Sequence, residues 1–111
     1  MRDDYTQAYI NRGDVLIKLN RTKEAEAVYE KALTFEADNP DLLYNMAVVM
    51  LNQKKTSQAL FYLDKALESD PEHPQALLNS AILIQESGSS HLRGVAIDRL
   101  RKIESLSLIH I

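Results

Sequence analysis

The chain has 111 residues, 45% of them hydrophobic and 26% charged, with 13 Lys plus Arg against 16 Asp plus Glu and a net charge of -3. That is one small domain or part of a larger one, and its mild acidity gives no electrostatic pull toward phosphate, which argues against nucleic acid as a partner. There is no cysteine, so disulfides and thiolate metal sites are excluded, and three Gly with three Pro are too few for a turn-rich all-β chain.

In chain order, residues 1–5 form a charged lead-in without the apolar run of a signal peptide. Apolar residues then recur at helical steps of three and four. Ala8, Tyr9, Val15, Leu16 and Leu19 predict a helix over 6–19, and Ala25, Val28, Tyr29, Ala32 and Leu33 predict one over 22–36. Leu42, Leu43, Met46, Ala47 and Met50 predict a third over 40–53, and the same pattern continues over 56–69, 74–87 and 92–104. The breaks are also legible. Asn39-Pro40 and His73-Pro74 place a capping side chain before a helix-starting Pro. The turns Asn20-Arg21-Thr22 and Lys54-Lys55-Thr56 each place a Thr where it is expected to cap the next helix. No apolar run approaches the roughly 18 residues needed to cross a bilayer.

Sliding the chain by 34 residues superposes it on itself. Asn11 meets Asn45 and Asn79; Gly13 meets Ala47 and Ala81; Leu16 meets Met50 and Ile84; Lys31-Ala32-Leu33 meets Lys65-Ala66-Leu67. The third copy stays in register until about Gly88, after which Ala96, Leu100 and Ile103 match only if three residues are inserted between Gly88 and Gly94. The units are 6–39, 40–73 and 74–104. Small residues recur where paired helices must touch, because anything larger than a methyl would push their axes apart.

This pattern resembles the tetratricopeptide repeat. Its slots are filled by Tyr9, Gly13, Leu16, Ala25, Tyr29 and Ala32, then by Leu43, Ala47, Met50, Ala59, Leu63, Ala66 and Pro71, then by Leu77, Ala81, Ile84 and the shifted Ala96. The resemblance implies an all-α solenoid of about three helix-turn-helix units in a right-handed superhelix. Repeats of this kind stack and need polar ends, so the abrupt start and the uncapped, apolar 105–111 suggest a fragment with a non-native tail, and that tail is set aside.

Catalytic chemistry is not expected. His73, His91 and His110 stand apart from one another, with no metal-ligand spacing, and Gly88-Ser89-Ser90 lacks the Lys of a phosphate loop. No cofactor or metal is implied. The informative polar residues are Asn11, Asn45 and Asn79. Asn is a poor mid-helix residue, yet it fills the same first-helix slot in all three copies. First helices line the concave face of stacked tetratricopeptide repeats, so the amides are expected to form a ladder there, offering a donor and an acceptor to the main chain of an extended peptide. This resembles the asparagine ladder of O-GlcNAc transferase. The other reading is that each Asn bonds the neighbouring helix and only ties the stack together. Tyr44, Val48, Leu51, Leu78 and Ile82 are expected to make the groove apolar, unless they pack against the next unit. With Ile10, Tyr44, Gln75 and Asn79 at the corresponding slots, the groove lacks the Lys and Arg of the two-carboxylate clamp that holds chaperone tails.

A closer resemblance lies in Ala76-Leu-Leu-Asn-Ser-Ala-Ile-Leu-Ile-Gln-Glu-Ser-Gly88 with Leu92-Arg93, in Ala8-Tyr-Ile-Asn-Arg-Gly-Asp14 and in Asn20-Arg21-Thr22. These resemble the repeat region of the transmembrane and tetratricopeptide repeat-containing (TMTC) proteins. That resemblance implies a parent glycosyltransferase of the endoplasmic-reticulum membrane, associated with O-mannosylation of cadherin-type acceptors, with the repeats on the lumenal side as a non-catalytic peptide- or protein-binding segment. Asn20-Arg21-Thr22 is also an N-glycosylation sequon in an exposed turn. The alternative is a cytoplasmic scaffold or co-chaperone-type adaptor built from the same repeat.

Overall fold

The computed structural model describes residues 2–109. It contains α1 (Arg2–Lys18), α2 (Thr22–Phe35), α3 (Pro40–Asn52), α4 (Thr56–Ser69), α5 (Pro74–Ser87), a short 3-10 turn (Ser90–Leu92) and α6 (Arg93–Ile109), with no strand among the described residues. Each helix packs most heavily on its partner in the pairs α1/α2, α3/α4 and α5/α6, and next along α2/α3 and α4/α5. The pairs therefore follow one another as a three-unit solenoid, with each unit held by its neighbours.

The helix boundaries follow the sequence signals closely, and the 3-10 turn takes up the insertion in the third unit. Gly88 closes α5 in the left-handed conformation, with φ at 70°. Asn39 caps α3, its side chain accepting from the Leu42 N–H at 3.1 Å. His73 caps α5 in the same way, Nδ1 accepting from the Ala76 N–H at 3.1 Å. Because Nδ1 is the acceptor, Nε2 carries the proton and donates to Asp41 at 3.0 Å.

The expected Thr caps are not what the structure contains. Thr22 and Thr56 are the first residues of α2 and α4, and the cap positions belong to Arg21 and Lys55, neither of which makes a side-chain cap bond. The reason lies in the preceding helix. Asn20 and Lys54 adopt φ of 62°. The Asn20 N–H donates to the Ile17 carbonyl and the Arg21 N–H to the Leu16 carbonyl; Lys54 and Lys55 repeat this on Leu51 and Met50. Both turns are Schellman closures, and they leave one residue before the next helix. Arg21 instead pairs with Glu24 in the first turn of α2 at 2.6 Å.

The small-residue slots sit where helices meet. Ala25, Ala32, Ala47, Ala59, Ala66, Ala76, Ala81 and Ala96 are fully buried. A Cβ on Gly13 would lie 2.3 Å from the Tyr29 ring, so the aromatic occupies the space that any side chain at 13 would need. In the second unit Ala47 and Leu63 take these places, both fully buried. Residues 2–5 of the expected lead-in continue α1, and residues 105–109 of the expected tail continue α6; Met1, His110 and Ile111 lie outside the described residues.

Candidate functional site

The first helices α1, α3 and α5 present Asn11, Asn45 and Asn79 at equivalent positions. Asn11 is exposed, and Asn45 and Asn79 are half-buried. Asn11 bonds only within its own helix, its Oδ1 accepting from Gln7 Nε2 at 2.9 Å. Asn45 donates from Nδ2 to Asp14 of the preceding unit at 3.4 Å. Asn79 donates to the Gln75 carbonyl at 2.8 Å and to the Tyr44 hydroxyl of the preceding unit at 3.5 Å. The amides of Asn45 and Asn79 thus act as ties between units, through their donor ends. Among the described residues their Oδ1 atoms accept no hydrogen bond, and Asn11 keeps its donor end in the same way.

The apolar candidates divide. Leu78 and Ile82 remain open, 45% and 38% exposed. Val48 and Tyr44 are half-buried, and the Tyr44 ring lies 5.5 Å from the His73 ring. Leu51 packs against the core of the first two units. Ile10 is a core residue at 7% exposure, not a groove residue, because it joins the cluster formed with Leu42 and Met46 of the next unit. Asn20 is exposed in its left-handed turn, with Arg21 exposed beside it and Thr22 half-buried.

The groove also holds Asp14, Ile17 and Lys18, which the sequence reading passed over as groove residues. Asp14, Ile17, Lys18, Tyr29, Asn45 and Val48 line a recess of about 290 Å³. Tyr29 donates its hydroxyl to Asp14 Oδ1 at 2.5 Å, the atom that also accepts from Asn45. Burial first, and then the Asp14 carboxylate, hold the Tyr29 hydroxyl well above the ordinary tyrosine range, so it is a fixed donor. The available signal was positional: Asp14 stands 34 and 68 residues before Val48 and Ile82, both groove residues. The recess lining has no serine, threonine or cysteine to set against a base, and among the described residues no cluster of His, Asp and Glu could hold a metal. No described helix is long and apolar enough to cross a membrane. What the face can do is hold a chain by hydrogen bonds and apolar contact.

Comparison with known proteins bears on the family. Protein O-mannosyl-transferase TMTC3 of Mus musculus is 48% identical over 100 residues, which is 90% of this chain and 11% of that protein. The Homo sapiens protein of the same name is 49% identical over 49 residues, 44% of this chain and 5% of that protein. The chain thus spans about a tenth of the length of these relatives, or less. Among solved structures, the second TPR of Spaghetti (RPAP3) bound to the HSP90 peptide SRMEEVD superposes with a TM-score of 0.81 at 18% identity, covering 92% of each chain, which shows a shared fold. The tetratricopeptide repeat profile matches residues 16–78, more than half of the sequence. With three stacked helix pairs, small residues at the pair contacts and this match, the chain belongs to the tetratricopeptide repeat family, whose repeats form protein-binding modules.

Proposed function

We propose that this chain is the polypeptide-holding repeat segment of a TMTC-like protein O-mannosyltransferase, located in the endoplasmic-reticulum membrane with its repeats in the lumen. Its part is to present extended segments of protein acceptors, cadherin-type domains among them, to a transferase region outside these residues. Asn11, Asn45 and Asn79 hold the acceptor main chain, and Tyr44, Val48, Leu78 and Ile82 supply apolar contact beneath it. The observation that carries this reading is the set of hydrogen-bonding ends left open on three equivalent amides along one face. The likeness to TMTC3 over nine-tenths of the chain supports the choice of parent. The co-chaperone alternative is less well served, since Lys18 is the base at the recess and a carboxylate clamp needs several.

The two roles of the Asn side chains are compatible, because Asn45 and Asn79 tie units through their donor ends and keep their acceptor ends open, while Asn11 ties no units and keeps its donor end open. Replacing all three by Ala is expected to weaken binding of unrelated neutral peptides about ten- to a hundredfold, at roughly 0.5–1.5 kcal/mol per lost hydrogen bond, with water replacing some of them. Ala is the better helix former, so a loss cannot be ascribed to propensity. A binding titration across a peptide panel, with melting curves alongside, tests this. Unchanged affinity with an intact fold would leave the amides as ties between units and nothing more.

A further inference from the structure

We propose that Asp14 makes this groove selective for an extended peptide carrying a basic side chain, Lys or Arg. The inference rests on the peptide-holding reading above and names the class of peptide.

The 34-residue period sets the rows of the groove. At the slot three residues after each Asn, the second and third units carry Val48 and Ile82, whereas the first carries a carboxylate. That carboxylate is fixed rather than loose: Oδ1 accepts from Tyr29 and from Asn45. Its other oxygen accepts no hydrogen bond among the described residues, and the side chain is exposed at the recess. A carboxylate accepts up to four hydrogen bonds, so the exposed oxygen can exchange solvent for a donor on a ligand, and a cationic donor gives the stronger, charge-assisted bond. Asn45 Oδ1 and the apolar side chains of Ile17 and Val48 stand beside it, suited to the stem and head of a long basic residue.

Charge along the groove agrees. One turn before Asn45 is Asp41, 80% exposed at its side chain. Seven residues beyond each Asn stand Lys18, Asn52 and Glu86. The row therefore holds Asp14, Asp41 and Glu86 against Lys18 alone, and among the described residues Lys18 forms no ion pair with Asp14. An acidic peptide would meet repulsion along this row, and a basic one attraction.

The test is fluorescence anisotropy with labelled dodecapeptides of Ala, Ser and Gly that differ only at one central residue: Arg, Ala or Glu. On the unmodified chain the Arg peptide is expected to bind about three- to tenfold more tightly than the Ala peptide, a range set by the exposure of Asp14, with the Glu peptide weakest. The preference should shrink in 0.5 M NaCl, where screening acts within about 4 Å. It should vanish in Asp14→Asn, which keeps the shape and an acceptor for Tyr29, the Arg and Ala peptides then binding equally. Equal binding of the Arg and Ala peptides to the unmodified chain overturns the proposal, and so does a preference that survives in folded Asp14→Asn. If the Ala peptide binds in an Asn-dependent way but Arg adds nothing, only this inference falls. If no peptide binds, the peptide-holding reading falls and takes this one with it.

Discussion

Substituting Gly13 by Ala is the sharpest probe of how the first unit is packed. A Cβ at this position would lie 2.3, 2.7 and 2.8 Å from three atoms of the Tyr29 ring. Ordinary carbon contacts are about 3.5–4.0 Å, so the ring would have to withdraw by about 1 Å. Tyr29 is 2% exposed and bound through its hydroxyl to Asp14, so withdrawal strains the core and stretches that hydrogen bond. Overpacking costs about 1–3 kcal/mol, and the weakened bond to the exposed carboxylate adds about 1 kcal/mol. Ala gains back about 1 kcal/mol in helix propensity. The expected net is a destabilisation of about 2 kcal/mol. In a Tyr29→Leu background the first unit acquires the Ala-and-Leu combination of the second. There the clash is gone and only the propensity gain remains, so Gly13→Ala should stabilise by up to about 1 kcal/mol. The coupling between the two sites is then about 3 kcal/mol, well beyond the ~0.5 kcal/mol scatter of independent sites. Urea unfolding of the four chains in this cycle measures it. If Gly13→Ala has the same effect in both backgrounds, the ring does not fill the space at Gly13, and the reasoning fails.

Lys54 occupies the left-handed region without the freedom of glycine, so Lys54→Gly is expected to stabilise by about 1 kcal/mol in urea unfolding, whereas Asn20→Gly should change little because Asn tolerates that conformation. The Tyr29 and Tyr62 hydroxyls are both held above their ordinary 10.0, by burial first and then by Asp14 for Tyr29 and by Glu30 and Glu26 for Tyr62. Above pH 10 the unfolded chain gives up the Tyr29 proton while the folded chain keeps it, so stability should fall as pH rises, by up to about 1.4 kcal/mol per pH unit, with Tyr62 acting in the same direction; Tyr29→Phe should make the fall shallower in melting curves taken from pH 8 to 11. Passage through a secretory pathway should add a glycan at Asn20, seen as a mobility shift removed by endoglycosidase and lost in Asn20→Gln, and an unshifted chain would count against the lumenal placement.

The solenoid was legible because its evidence is periodic. Helix pairs, their breaks and the close contacts at Gly13, Ala47 and Ala81 each recur at one spacing, and Asn39 and His73 cap as Asn-Pro and His-Pro suggest. The Thr22 and Thr56 caps were misread because the closure of the preceding helix sets the start of the next, and a left-handed lysine at 54 has no recognisable sequence mark. The equivalent placing of the three Asn side chains on the first helices could be read from Asn being a poor choice in mid-helix. Its partners could not, since Asp14 and Tyr44 lie 31 and 35 residues away in sequence and meet the amides only once the units stack. Ile10 was misplaced for the same reason: its neighbours in the next unit bury it. Asp14 escaped notice because an acidic residue on a helix usually means a loose solvated charge, and only its contact with Tyr29, 15 residues on, shows that this exposed carboxylate is held in place.

The ties between successive first helices bear on the mechanics of the groove. Asp14–Asn45 spans the first joint of the stack, and Asp41–His73 and Tyr44–Asn79 span the second. Away from these helices' inner side, Gln53–Glu26 crosses the first joint at 2.6 Å and Asp64–Arg99 crosses the second at 2.9 Å. In a solenoid each joint answers only to its two units, so each is braced on two sides by ties of its own. A long ligand laid across all three units would meet a curvature held joint by joint, and its fit would be set by how far those ties yield rather than by any change within a helix pair.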